Sequence, residues 1–259
     1  MKAAIFSLAR PASLAEALAA LDQPDTRIIA GGQSLGPMLN LRLARPAHLV
    51  AVASLPELAG ASETPEAITL GAYVTHTAIA DGRTPDMAGN ILAGVAENIA
   101  YRAVRNRGTI GGSLCHADPA ADWVCVLTAL NASVIVANTN ATRAVPLTDF
   151  VIGAFRVALA PGELVRAVRI PRPSAAARWG YYKACRKPGE FAHAMAAVLI
   201  DGTSRRAVIG AVGGPPIVLT GDAAVPASVE AALRDSGLDA IGRHMQAVAL
   251  RRALERATA

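Results

Sequence analysis

The chain has 259 residues, of which 53% are hydrophobic and 17% charged, and it carries a net charge of +5. Such a composition excludes a disordered chain and leaves room for one large domain or two small ones. No run of five or more basic residues occurs and no aromatic platform is interleaved with the charges, which disfavours nucleic-acid binding.

Ser13, followed three residues later by Glu16, forms a capping box, and Leu14, Leu18 and Leu21 recur at helical spacing behind it. Arg27 to Ala30 reads as a short strand running into Gly31–Gly32. A segment with Pro37, Leu39, Leu41 and Leu43 closes at Arg45–Pro46, and His48 to Ala53 reads as a second strand. These pieces make a β-α-β-like opening of residues 1–54. A second region, 55–173, holds a strand over Ala67 to Val74 and a helix over Ile91 to Ile99. A loop follows from Arg102 to Ser113, then a helix over Asp122 to Leu130 ended by Asn131. The strand Ser133 to Ala137 enters an Asn-Thr-Asn turn, and Glu163 to Ile170 is a last strand. The third region, 174–259, follows the Pro171-Arg172-Pro173-Ser174 linker. Its strands are Gly180 to Cys185, His193 to Ile200 and Arg206 to Val212, with a hairpin signal at Asp201–Gly202 and two helices between Val225 and Ala257. Strands followed by helices in three units predict an α+β fold.

Two segments carry the chemistry. One is Ala30-Gly31-Gly32-Gln33-Ser34-Leu35, directly after a strand; the other is Gly108-Thr109-Ile110-Gly111-Gly112-Ser113. Paired glycines open backbone shapes closed to other residues and let a ligand approach the main chain, where successive N–H groups can hold an anion. A single such loop is most often only a turn, but two can supply donors on several sides of one anion. Neither matches the Gly-x-Gly-x-x-Gly fingerprint or the phosphate loop ending in Gly-Lys-Ser/Thr, so a Rossmann domain or a nucleotide triphosphatase is disfavoured.

The stretches AGGQSLGPMLNLRLARPAHLV (30–50), RNRGTIGGSLCHADPAAD (105–122) and YYKACRKPGEFAHAMAAV (181–198) resemble the FAD-binding medium subunit of the molybdenum hydroxylases, the xanthine dehydrogenase and carbon monoxide dehydrogenase family. The resemblance spans nearly the whole chain. It implies a two-part FAD-binding domain of the vanillyl-alcohol-oxidase type over 1–54 and 55–173, and a small C-terminal α+β domain over 174–259. It implies that Ala30, Gly31, Gly32, Gln33 and Ser34, with Thr109, Ile110, Gly111, Gly112 and Ser113, wrap the FAD pyrophosphate, and that Ile29 and Leu35 also bind the cofactor. Ile99 and Ala100 would lie along the cofactor, and Asp122 would bond its hydroxylated chain, although an acid opening a helix also complements the dipole. Val165 and Lys183 would stand beside the flavin ring, with Lys183 the candidate cation near its N1 and C2 carbonyl; an exposed strand lysine is the alternative. Phe191 would cover the ring or serve as a core aromatic. The chain departs from the family at Glu190, where Asp is frequent, at Phe191, which lacks the hydroxyl of a Tyr, and around Leu238 to Gln246, which looks shortened.

Within that family a molybdenum cofactor on a large subunit oxidises the substrate. Electrons cross two [2Fe–2S] clusters on a small subunit and leave through this FAD. The resemblance therefore implies an electron-transfer subunit in a dimer of heterotrimers, inactive alone. Some relatives carry a further cluster here, which the three scattered cysteines (Cys115, Cys125 and Cys185) argue against. An odd cysteine count without a secretory segment, and no apolar run of the roughly 18 residues a membrane span needs, predict a soluble cytoplasmic protein. A free-standing flavin oxidoreductase of the same superfamily is the competing reading, though 259 residues leave little room for a substrate-capping domain. His76 is expected to pack or hydrogen-bond rather than ligate a metal, and His116 to contact the cofactor or close its loop. Arg102, Arg105 and Arg107 are candidates to offset the phosphates, to face a partner or to be solvated.

Overall fold

Ser7–Ala9 (β1) opens the fold, and the structure, a computed structural model, describes residues 2–259. Leu14–Ala20 (α1) begins at Ser13, whose hydroxyl accepts from the N–H of Glu16, while the Glu16 carboxylate takes the N–H of Ala12. Thr26–Ile29 (β2), Leu35–Asn40 (α2) and His48–Ala51 (β3) follow. β1 and β2 both run parallel to β3, in the order β1-β3-β2. Leu49 and Val50 are buried on opposite faces of β3, in separate clusters, because alternate side chains leave a strand on opposite sides.

Pro56–Ala59 (α3), Ala61–Glu63 (β4), Ala67–Gly71 (β5), His76–Ala80 (α4), Ile91–Ala96 (α5), Arg102–Arg105 (α6), Ile110–His116 (α7) and Asp122–Ala129 (α8) come next. Ser133–Ala137 (β6), Thr142–Pro146 (β7), Leu147–Phe150 (α9), Val151–Gly153 (β8), Arg156–Val157 (β9) and Leu164–Pro171 (β10) complete this stretch. An antiparallel sheet in the order β4-β5-β10-β6-β7 runs through it, with a register shift in β10 between Val165 and Ala167. Every residue of α8 is buried, so this helix is core on all sides.

Arg178–Ala184 (β11), Ala194–Asp201 (β12), Ser204–Gly210 (β13) and Ile217–Thr220 (β14) form an antiparallel sheet in chain order. Val229–Ala232 (α10) and Ala240–Thr258 (α11) close the chain. The alternation of β12 explains how this sheet is held. Met195 and Ala197 join the large core that contains α8, while Ala194, Ala196 and Val198 face α11. Close approach of α11 requires the glycine in β11: a Cβ on Gly180 would lie 1.9 Å from the Ala253 carbonyl oxygen. Thus α8 is packed between the central sheet region and the C-terminal sheet. Helices and largely antiparallel sheets make this an α+β protein.

Two expectations need correction. The segment 102–113 is not a loop, since α6 and the first half of α7 lie within it. Ile110 and Leu114, one helical turn apart and both fully buried, anchor α7 in the core, and that packing outweighs the low helix propensity of Gly111–Gly112. The strands β1, β4, β7, β8, β9 and β14 carry no strong sequence signal. β7 lies at a sheet edge, where four of its five residues are exposed and a terminal proline is tolerated.

Candidate functional site

The two glycine segments meet. Gly31 is seated on the turn before Thr109, so close that a Cβ there would fall 1.8 Å from the carbonyl oxygen of Arg107. Arg107 Nε donates to the Gly31 carbonyl at 3.1 Å and Gln33 Nε2 donates to the same oxygen at 3.2 Å. Gly32 has φ +73°, a left-handed angle that admits the turn between β2 and α2. The second segment is fixed by its own helix. Thr109 is the N-cap of α7, its hydroxyl accepting from Gly112 N–H at 3.1 Å, and Ile110 and Gly111 donate their N–H groups to Val74 and Ala72 at 3.0 Å. Gly111 and Gly112 therefore serve close packing rather than unusual backbone angles. A Cβ on Gly111 would lie 2.5 Å from Ala72 Cβ, and one on Gly112 would lie 2.7 Å from Thr109 Oγ1 and 4.0 Å from Ala30 Cβ.

This cradle fits an anion. Backbone N–H groups of Gly32, Gln33, Ser34 and Leu35 have no acceptor among the described residues, and the Ser34 hydroxyl makes no cap bond. Successive free amides in one turn are the donor set a pyrophosphate requires.

A second, polar cluster lies where α8, the 97–101 segment and β11 converge. Asp122 opens α8 and is buried; Lys183 Nζ donates to its Oδ1 at 2.9 Å and Oδ2 at 3.1 Å, and Tyr181 Oη donates to Oδ1 at 2.7 Å. Lys183 also donates to the Asn98 carbonyl at 3.1 Å, and its side chain is 7% exposed, so it is not a solvated strand lysine. Burial pushes the Asp122 carboxyl above its ordinary range, and the Lys183 charge and the Tyr181 hydroxyl pull it back. The Tyr181 hydroxyl is raised well above its usual value by burial and by the neighbouring carboxylate. Ile99 and Ala100 are held from two sides: Ala100 N–H donates to the Gly189 carbonyl at 3.0 Å, and Arg105 Nη1 donates to the carbonyls of Ile99 and Ala100 at 3.0 and 2.7 Å. Phe191, two residues beyond Gly189, is 62% exposed, which excludes a core role. Val165 lies in the hydrophobic core at the β10 irregularity.

Several contacts were not readable locally. Trp123 Nε1 donates to His76 Nδ1 at 3.1 Å, which leaves the proton of the neutral imidazole on Nε2, and His76 N–H donates to the Gly108 carbonyl at 2.9 Å. Burial lowers His76 to about 4, so it is a neutral brace of the second segment. Neighbouring residues of α8, Asp122 and Trp123, thus support the two halves of the site. Arg102 pairs bidentately with Asp81 at 2.6 and 2.7 Å, and Arg105 and Arg107 hold main-chain carbonyls. His116 stacks at 5.2 Å on Phe155, and burial raises Cys115 to about 12, so neither the pair nor the thiol is a nucleophile.

An anion cradle and a buried carboxylate–lysine pair, each supported by a neighbouring residue of α8, define a cofactor-binding module. Comparison with known proteins identifies the module. Residues 4–173 match the family described as the FAD binding domain in molybdopterin dehydrogenase, and the chain belongs to that family. It is 36% identical over 223 residues to the nicotine 6-hydroxylase medium subunit of Paenarthrobacter nicotinovorans, covering 82% of this chain and 77% of that one. It is 34% identical over 197 residues to the carbon monoxide dehydrogenase medium chain of Hydrogenophaga pseudoflava, covering 75% and 69%. A solved structure of carbon monoxide dehydrogenase from the same organism, lacking the Mo-pyranopterin moiety of its molybdenum cofactor, superposes with a TM-score of 0.90 at 30% identity, over 100% of this chain and 99% of that one. The chain is thus an FAD-binding medium subunit of the molybdenum hydroxylase type, an electron-transferring part of a multi-subunit dehydrogenase. Among the described residues, no helix is long and apolar enough to cross a membrane.

Proposed function

We propose that the meeting of the two glycine segments is the pyrophosphate site of FAD, built from Ile29 to Leu35 and Thr109 to Ser113. Ile99, Ala100, Asp122, Val165, Lys183 and Phe191 complete the site toward the ribityl chain and the ring. The observation that carries this reading is the set of free amides at Gly32 to Leu35, held in place by the Arg107 bond to Gly31. FAD, when bound, supplies the redox chemistry; the chain binds and orients it. Asp122 retains acceptor capacity for a hydroxyl, whereas all three Lys183 N–H groups are already used, so Lys183 acts through its charge.

The partners on this reading are an iron–sulfur small subunit with two [2Fe–2S] clusters and a large subunit with the molybdopterin cofactor, assembled as a cytoplasmic dimer of heterotrimers. The chain would divide into units 1–54, 55–173 and 174–259, the last supplying Lys183 and Phe191. Titrating the flavin-free chain with FAD, followed by acid precipitation, tests the site. One FAD per chain, recovered in the supernatant, is expected. Failure of Gly32→Val to weaken binding would show that the first segment does not hold the pyrophosphate.

A further inference from the structure

Tyr181 belongs to neither glycine segment, yet its hydroxyl makes the shortest bond to the carboxylate in the polar cluster. Asp122 Oδ1 accepts twice, from Tyr181 at 2.7 Å and from Lys183 at 2.9 Å, while Oδ2 accepts only from Lys183 at 3.1 Å. A carboxylate oxygen takes about two hydrogen bonds, so Oδ1 is filled and Oδ2 keeps one place. The Tyr181 hydroxyl has a single proton. Its other neighbour, the Met195 sulfur at 3.9 Å, is a far poorer acceptor than an oxygen at 2.7 Å. Tyr181 and Lys183 both belong to β11, whereas Asp122 belongs to α8, so the C-terminal sheet reaches across to fix a side chain of the preceding region.

We propose that Tyr181 is a positioning residue for the FAD site, filling Oδ1 of Asp122 so that the carboxylate is held as an acceptor with Oδ2 free for a cofactor hydroxyl. This rests on the assignment of Asp122 to the cofactor. Removing the Tyr181 hydroxyl leaves the carboxylate free to turn within the reach of Lys183 alone. It also removes one of the influences that offset burial, so Asp122 takes up a proton at a higher pH than before. A protonated carboxyl turns one oxygen into a donor and leaves the buried Lys183 ammonium without its counter-charge. The titratable groups facing Asp122 are Lys183 and Tyr181 from β11 and Cys125 from its own helix; Cys125 is pushed far above its ordinary range by burial and does not compete near neutrality.

The test is FAD affinity of the full chain, measured by flavin fluorescence against pH, for the wild type, Tyr181→Phe, Asp122→Asn and the double variant. Phe keeps the ring and its packing, and circular dichroism with a melting curve checks the fold. Tyr181→Phe should weaken FAD by roughly tenfold at neutral pH, the value of one hydrogen bond to a charged group. Its affinity should fall at a higher pH on acidification than that of the wild type. Asp122→Asn should show no such fall, and adding Tyr181→Phe to it should cost little more, because the tyrosine acts through the carboxylate. Additive losses, or coincident pH profiles of wild type and Tyr181→Phe, would overturn the proposal. An unfolded Tyr181→Phe would overturn it as well, since the residue would then be structural. Full FAD affinity in Asp122→Asn would instead remove Asp122 from the site and overturn the assignment beneath it.

Discussion

Replacing Gly31 with alanine adds one methyl group at the tightest main-chain contact of the site. The new carbon would sit 1.8 Å from the Arg107 carbonyl oxygen and 2.6 Å from its carbon. Both are backbone atoms, so no rotamer change relieves the clash, and the two glycine segments must separate. Overpacking of this kind costs about 1–3 kcal/mol. Near this chain length, each kcal/mol shifts the midpoint by roughly 2–4 °C, so a loss of about 2–12 °C follows in a melting experiment on the flavin-free chain. The larger effect is on FAD. Moving the first segment also breaks the Arg107 bond to Gly31 and displaces the free amides at Gly32 to Leu35, and a loss of about 3 kcal/mol corresponds to more than 100-fold in affinity. Gly94→Ala is the control: it lies within α5 with nothing within 4 Å of the new carbon, and helix propensity predicts up to about 1 kcal/mol of stabilisation. Wild-type FAD affinity and melting in Gly31→Ala would refute the claim that the two segments form one cradle.

Lys183→Met should destabilise the chain by about 3–5 kcal/mol, because it leaves a buried carboxylate without its cation, and Asp122→Asn in the same chain should recover part of that loss in chemical denaturation. His76 is lowered to about 4 from 6.5, so its neutral form is favoured by folding; the stabilisation is complete above about 6.5 and is lost as the pH falls toward 4. That contribution is roughly 3 kcal/mol, and His76→Phe should flatten this part of the acid-unfolding curve. Trp123→Phe removes the indole donor to buried His76 Nδ1 and should cost about 1–3 kcal/mol in the same assay. Phe191→Ala should change stability by less than about 0.5 kcal/mol, as an exposed side chain, while altering the absorbance and fluorescence of bound flavin if it covers the ring.

Much of the fold is written locally. Ser13 with Glu16, the apolar run ending at Gly31–Gly32, and the Asp201–Gly202 hairpin each act over a few residues, and the structure places α1, β2 and the β12–β13 turn there. The helix α7 was legible in principle through Thr109 as N-cap and the Ile110–Leu114 spacing, but two adjacent glycines argue for a loop until the packing against Ala72 is known. The site divides in the same way. The glycine segments are visible as motifs, whereas their supports are long-range. Trp123 reaches His76 across 47 residues, Tyr181 reaches Asp122 across 59, and Arg107 reaches Gly31 across 76. No periodicity encodes such pairs, because the topology around α8 brings them together.

On this reading the chain carries electrons through its own FAD, and partner subunits supply those electrons. Purification of the native complex through a tag on this chain, with flavin, iron and molybdenum analysis, tests it most directly. Two further polypeptides, one FAD per chain, and both metals in fixed ratio to it are expected, with hydroxylation of aldehydes or heteroaromatic compounds lost when the chain is isolated. A flavoprotein that purifies alone and turns over such substrates unaided would contradict it.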